Sequence, residues 1–185
     1  NPAEPDGYLT MSMETLVSDD ERRFMLWQAH HDNLTKLPNS NLLHERLTRR
    51  LLSVADDPAD RIGALISIDI DDFREVNDSV GHELADRVLT DAAYRIAMCA
   101  RETDTVARMG NDLFVIAVFD IEREAEAEII ARNAVDSFSA PFVIGERELF
   151  LTASAGLTIF PADGVEKGEL LPVSYTHLTL PTRCL

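Results

Sequence analysis

The spacing of apolar positions changes several times along the chain, and each change marks an element. In "RIGALISIDIDD" an apolar run stops abruptly in acids, as a buried strand does when it delivers its last residues to a sheet edge. "HELADRVLTDAAYRIAMCARET" has the helical period, with Leu84, Val88, Ala92, Ile96 and Cys99 facing inward. "DTVARMGNDLFVIAVFD" reads as two short strands about a Met-Gly-Asn-Asp turn, hence a hairpin. "EREAEAEIIARNAVDSFS" reads as a helix, and "FVIGERELFLTASAGLTIF" as further strands around a turn at Gly145. Upstream, Ser18 suits the N-cap of a helix through "DDERRFMLWQAHH", with Glu21 as the capping-box acid and Phe24, Leu26 and Trp27 as contact residues. "DNLTKLPNSNLLHERLTRRLLSVADD" turns at Pro38 and restarts as an amphipathic helix with Leu43, Leu47, Leu51 and Val54 on one stripe.

The order strand, helix, hairpin, helix, strands predicts an α+β fold. Its core is a central antiparallel or mixed sheet with helices on one face, of the ferredoxin-like or nucleotide-cyclase palm type. Residues 1–28 read as a linker followed by the N-terminal helix, and 29–171 as the domain. The last stretch, "PVSYTHLTLPTRCL" at 172–185, is uncharged but for Arg183 and lacks a helical period. It is more like vector-encoded or frame-shifted sequence than part of the core, and is set apart from the fold.

Composition narrows the function. With 185 residues, 45% hydrophobic and 27% charged, the chain has room for one domain with a sizeable core. Acidic residues outnumber basic ones 33 to 17, a net charge of -16. Such a surface repels a polyphosphate backbone, so a nucleic-acid polymer is not the expected partner. A small phosphate ligand stays open, because a divalent cation neutralises it locally. No apolar run approaches the roughly 20 residues of a membrane span. The two cysteines, Cys99 and Cys184, have no CxxC or Cys/His neighbourhood and are expected to be reduced thiols in a cytoplasmic setting.

The candidate chemistry sits in "IDIDDFREVND". Asp69 and Asp71 share one face of the extended strand end, and Ile70 points to the core. Three acids within four residues repel one another unless a cation sits among them, and hard oxygen ligands suit Mg²⁺ or Mn²⁺. The hairpin turn brings Asp112 alongside if its strands neighbour this one. Two carboxylates on separate strands are what metal-assisted phosphoryl transfer needs. Taken singly, the same residues also read as structural: strand-end acids as solvated caps, Asn77 and Asp78 as turn formers, and "GHELAD" as a helix start with His82 on the surface. Arg101 and Asp104 also read as a local salt bridge of little energetic value.

Jointly, "DNLTKLPN", "DIDDFREVNDSVGHELAD", "RETDTVARMGNDLF" and "TASAGLTIFP" occur in the order and spacing of one family. In these motifs the chain strongly resembles the GGDEF domains, the diguanylate cyclases and their relatives in bacterial cyclic-di-GMP signalling. The resemblance implies metal binding by the Asp69 carboxylate, the Ile70 carbonyl and Asp112, with Asp69 and Asp112 the catalytic acids. It implies guanine recognition by Asn77 and Asp86, and substrate contacts at Phe73, Arg74, Gly110 and Asn111, with Arg74 in place of a Lys at the phosphates. Arg101 and Asp104 match the Arg-x-x-Asp pair of the inhibitory product site, Asp104 standing six residues before Gly110. It also implies GTP and cyclic-di-GMP as ligands, antiparallel pairing of two domains as a homodimer, a signalling helix leading from an upstream sensory module, and often a downstream EAL phosphodiesterase domain.

Departures from the family pattern decide between readings. The signature Gly-Gly-Asp/Glu-Glu-Phe is Gly110, Asn111, Asp112, Leu113, Phe114 in this chain. Asn111 tolerates positive φ, so the turn can form, but its side chain fills space left open for the triphosphate. Leu113 replaces a carboxylate by a group that neither binds a cation nor accepts a proton. Lesser departures are Lys36 for Gly, Ser40 for Arg and Ala85 for Gly, and the family's closing helix, with its basic phosphate contacts, is absent or replaced by the terminal stretch. The expected function is therefore a degenerate module that binds GTP or cyclic-di-GMP without making product. An active diguanylate cyclase and a ligand-free dimerisation module are the alternatives.

Overall fold

The run that stops at residue 70 folds as the middle strand of the main sheet. The structure, a computed structural model, describes residues 19–56, 62–160 and 183–184, with side chains described over 20–50 and 63–160. In chain order its elements are α1 (Asp19–His30), α2 (Ser40–Asp56), β1 (Ile62–Ile70), α3 (Phe73–Val80), α4 (His82–Cys99), β2 (Thr105–Gly110) and β3 (Leu113–Ile121). There follow α5 (Glu124–Asp136), β4 (Phe142–Ile144), β5 (Arg147–Leu149), β6 (Ala153–Phe160) and β7 (Arg183–Cys184). The sheet order is β2-β3-β1-β6-β7, antiparallel at each pairing, while β4 and β5 form a separate two-stranded ribbon. The α+β fold read from the sequence is the one observed, and the sheet is antiparallel throughout the described pairings.

Alternation along β1 explains why both faces are covered. Ala64, Ile66, Ile68 and Ile70 are buried on one face, against Val88, Ala92 and Ile96 of α4 and Ala127, Ile130 and Ala134 of α5. Leu65 points to the other face, where Leu43 and Leu47 of α2 pack with Ala107, Val115, Ala117 and Phe119. Helices thus lie on both faces, where the sequence pattern suggested one. A strand buried on both sides has no polar alternation to announce it, and β3 is buried almost continuously from Phe114 to Phe119.

Three other expectations are corrected. Asn77 and Asp78 lie inside α3 rather than in a turn, since Phe73 and Val76 anchor that short helix to the core. Phe24 and Leu26 of α1 are 59% and 57% exposed, so most of each side chain faces solvent rather than the described core. The end of α1 is what is tied down: Asn39 donates to the Ala29 carbonyl from its side chain and to the His30 carbonyl from its backbone. Trp27 stacks on His31 with ring centroids 4.6 Å apart. Leu84 and Cys99 are half-buried, and the positions between them, Ala85, Leu89 and Ala93, complete the inward face of α4. Ser18, the side chains of Leu51 and Val54, and most of 172–185 lie outside the described residues; Arg183 and Cys184 run alongside Leu157 and Gly156 of β6.

Candidate functional site

The acidic end of β1 and the β2–β3 turn meet at one edge of the sheet because of strand register. Asp69 is the cross-strand partner of Leu113 on one side and of Ser154 on the other. Directly paired residues share a face and hold their side chains about 5 Å apart. Phe114, the next residue, pairs with Ile68, and both are fully buried. The apolar residues of β1 and β3 therefore fix which side chains stand at the rim.

Electrostatics shows the acids to be close. Asp69 is exposed at the rim, yet its carboxyl is pushed above the ordinary aspartate range, first by partial loss of hydration and then by the negative charges of Asp112 and Asp71. Asp71 is already satisfied: its Oδ2 accepts from Thr152 Oγ1 at 2.6 Å and its Oδ1 from Ser154 Oγ at 2.7 Å. Its backbone N–H also donates to the Thr152 carbonyl. Of the three neighbouring acids, Asp71 is thus engaged by β6 and its lead-in, and the charge that Asp69 feels most strongly is that of Asp112. Among the described residues, no group of three or more His, Cys, Asp or Glu side chains converges as a metal cage. A two-carboxylate pair completed by the Ile70 carbonyl is a smaller donor set, of the hard-oxygen type that Mg²⁺ and Mn²⁺ accept.

The turn itself is held from the opposite side. Gly110 has φ 135° and Asn111 φ 46°, a pair that glycine and asparagine adopt with least strain. Arg108 donates to the Asn111 carbonyl through both Nε and Nη2, at 3.0 and 2.6 Å. Its Nη1 donates to Asp32 Oδ1 at 3.0 Å, and its backbone N–H to the Pro38 carbonyl. Asp32 in turn accepts from the Thr35 N–H and hydroxyl. Burial by itself raises the Asp32 pKa, but the Thr35 and Arg108 hydrogen bonds and the Arg108 charge outweigh it, so the carboxyl lies below its usual range. Asp32, Thr35, Arg108, Thr152 and Ser154 were not picked out as site residues from the sequence. The signal was that all five fall within the four motifs that define the resemblance.

The remaining candidates lie along α3 and α4. Phe73 is 5% exposed and belongs to the core, whereas Arg74 is exposed on the same helix. Asn77 is half-buried, its side-chain oxygen 3.3 Å from His82 Nδ1. Asp86 is exposed on the first turns of α4. Gly81, between the two helices, has φ 81° and open space around it. Where the family has Gly, Lys36 takes a left-handed φ of 63°, a conformation that costs a non-glycine residue about 1 kcal/mol. Its ammonium donates to the Asn33 carbonyl and lies 5.5 Å from the Trp27 ring centroid.

Arg101 and Asp104 are separated in role. Asp104 is buried and its Oδ2 accepts from the Arg101 backbone N–H at 2.9 Å. The Arg101 guanidinium pairs instead with Glu126 of α5, at 2.6 Å. The local ion pair that their spacing suggested is replaced by a capped turn and a longer-range bridge. Among the described residues no helix is long and apolar enough to cross a membrane.

Comparison with known proteins shows the family and the fold. The profile "Diguanylate cyclase, GGDEF domain" matches residues 29–177. The chain is 39% identical over 149 residues to the bifunctional diguanylate cyclase/cyclic di-GMP phosphodiesterase MucR of Pseudomonas aeruginosa, which covers 80% of this chain and 21% of MucR. It is 37% identical over 153 residues to the diguanylate cyclase TpbB of the same organism, covering 82% of this chain and 35% of TpbB. The solved GGDEF domain of TpbB superposes with a TM-score of 0.69 at 35% identity, over 72% of this chain and 77% of that one. The chain spans about a fifth to a third of the length of these two relatives.

Proposed function

The chain belongs to the GGDEF domain family of cyclic-di-GMP signalling, and on that premise we propose that it is a degenerate member, a regulatory module that binds GTP or cyclic-di-GMP and makes little or no product. One observation carries the proposal. Leu113 stands in register with Asp69, so the aliphatic side chain occupies the position from which the family's second carboxylate would face the metal and the attacking hydroxyl. Losing a charged group at that place removes orders of magnitude in rate.

Binding asks less of the site than chemistry does. The family generally uses divalent metal ions, and Asp69 and Asp112, whose charges repel, would hold a Mg²⁺ or Mn²⁺ ion with the Ile70 carbonyl as third donor. Such an ion would supply charge neutralisation at the nucleotide phosphates. The protein's own groups do the rest: Asp86 accepts from guanine N–H groups, Asn77 hydrogen-bonds the base, and exposed Arg74 meets phosphate charge. Gly110 lets the backbone approach the phosphates, while the Asn111 side chain narrows that approach. Phe73 contributes by anchoring α3.

The active-cyclase reading is favoured by one observation, the closeness of Asp69 and Asp112 across the strands. It would require two copies paired so that each presents one GTP. By analogy with bifunctional MucR, the proposal also places this domain in a longer protein in the cytoplasm, with a sensory module ahead of α1 and an EAL phosphodiesterase domain behind.

The test is heating with and without GTP and Mg²⁺, together with a product assay. At about 100 times Kd, ligand should stabilise the protein by about 2.7 kcal/mol, and Asp69→Ala should lose that gain. Product forming near a typical kcat of about 1 per second or faster would replace this reading by the cyclase. No stabilisation of either protein would leave the domain as a ligand-free module.

A further inference from the structure

The turn between α4 and β2 is linked to α5 by a single carboxylate that has two tasks. Glu126 Oε1 accepts from the backbone N–H groups of Glu122 and Arg123, at 3.0 and 3.3 Å, and so closes the first turn of α5. That cap uses one oxygen. The other, Oε2, accepts from Arg101 Nη2 at 2.6 Å. Both partners respond: the bond to Glu126 raises the Arg101 pKa, and the bond from Arg101 lowers that of Glu126.

Arg101 and Asp104, the neighbouring residues of the turn, are otherwise arranged to hold the main chain. Asp104 is 8% exposed, accepts from the Arg101 N–H through Oδ2, and has an Oδ1 without a hydrogen-bond partner. The Arg101 side chain is half exposed, so a ligand can reach it. A guanidinium fork accepts a carboxylate or a phosphate with the same geometry. Glu126 is therefore placed where an anionic ligand's oxygens would go, and the helix cap keeps it from swinging aside.

We propose that Glu126 sets the affinity of this site for a phosphodiester ligand, by occupying the Arg101 guanidinium in the ligand's absence and opposing its charge on arrival. The inference rests on the reading of Arg101 and Asp104 as a product-binding site. It adds a residue to that site and gives it a direction: the carboxylate weakens binding.

Calorimetric titration of the 185-residue chain with cyclic-di-GMP tests it. Glu126→Gln keeps an oxygen for the α5 cap but removes the competing charge, and should bind up to about fivefold tighter, the upper end of the range for one exposed ion pair. Glu126→Ala, which also loses the cap, should bind tighter as well provided that its melting curve shows it folded. In the Arg101→Ala background the gain from Glu126→Gln should vanish. Equal or weaker binding by Glu126→Gln, with Arg101-dependent binding in the wild type, overturns the competition while leaving the site. An undiminished gain in the Arg101→Ala background overturns it too, since Glu126 would then act by bulk repulsion. Binding that ignores Arg101→Ala, or no binding by any variant, removes the site itself and the role of Glu126 with it.

Discussion

Two aspartates bracket the Gly110–Asn111 turn, and their surroundings are opposite. Asp32 accepts two hydrogen bonds from Thr35 and one from Arg108, which also clasps the Asn111 carbonyl. Asp69 is exposed at the rim but loses part of its hydration to its neighbours, feels the charges of Asp112 and Asp71, and has Leu113 and Ser154 as its cross-strand partners. The first carboxylate stabilises the fold as it stands, and the second is held at a cost that a cation would relieve. Groups arranged against their own stability are a mark of functional sites. On this comparison the Asp32 side is scaffold and the Asp69 side is the working face of the turn.

The largest effect should come from restoring the working face. Asn111→Gly with Leu113→Glu puts back the missing carboxylate and opens the approach to the turn, and should raise cyclic-di-GMP formation from GTP and Mg²⁺ by about 100-fold or more. The same substitution adds a third charge beside Asp69 and Asp112, so without divalent cation the variant should melt below wild type. Product at wild-type level with the variant folded would mean that something other than residue 113 limits the reaction. A melting temperature unchanged by the added charge would mean that the rim is too wet for the acids to feel one another.

The scaffold side should break next. Arg108→Ala removes three hydrogen bonds at once and leaves a half-buried carboxylate with Thr35 alone. The expected cost is about 2 kcal/mol, a fall of about 4 to 8 °C in Tm for a chain of this size. Because Arg108 tethers the Asn111 carbonyl, GTP-dependent stabilisation should weaken along with it. A melting temperature within about 1 °C of wild type would show that the hairpin turn does not depend on the Asp32 tether.

The contrast also explains what could be read in advance. The end of β1, the hairpin and the α4 and α5 periods were legible because each depends on local alternation or on a turn signal next to an apolar run, whereas the approach of Asp112 to Asp69 hung on the pairing of β1 with β3, which the sequence left conditional. The second helical layer was not, since β3 is buried on both faces and carries no alternation to point at α2. Helix α3 was missed because its eight residues include Asn77 and Asp78, which favour turns locally, and only Phe73 and Val76 packing into the core makes it a helix. The partners of Arg108, Asp71 and Arg101 lie 76, 83 and 25 residues away along the chain. No spacing rule reaches that far, so the sequence could name Arg101 as a site residue without naming Glu126.

The smallest effect is the one that tests the sign of the comparison. Asp69 has its folded pKa raised above the ordinary value of 3.8, so its contribution favours folding below that value and is lost as pH rises through the folded pKa. Asp32 has its folded pKa lowered, so its contribution is present above 3.8 and is lost as pH falls through the folded pKa. At neutral pH without divalent cation, Asp69→Asn should therefore melt slightly above wild type, by an amount kept small by solvent screening at this exposed position. Asp32→Asn should lower Tm by more. On acidification both differences should shrink, that at Asp69 first, because the wild-type carboxyl there takes up its proton at the higher pH. Adding Mg²⁺ and GTP should reverse the order at position 69, stabilising wild type beyond Asp69→Asn. If Asp69→Asn instead melts lower than wild type in the absence of cation and nucleotide, Asp69 is part of the scaffold like Asp32, and the division of the turn into a held side and a working side fails.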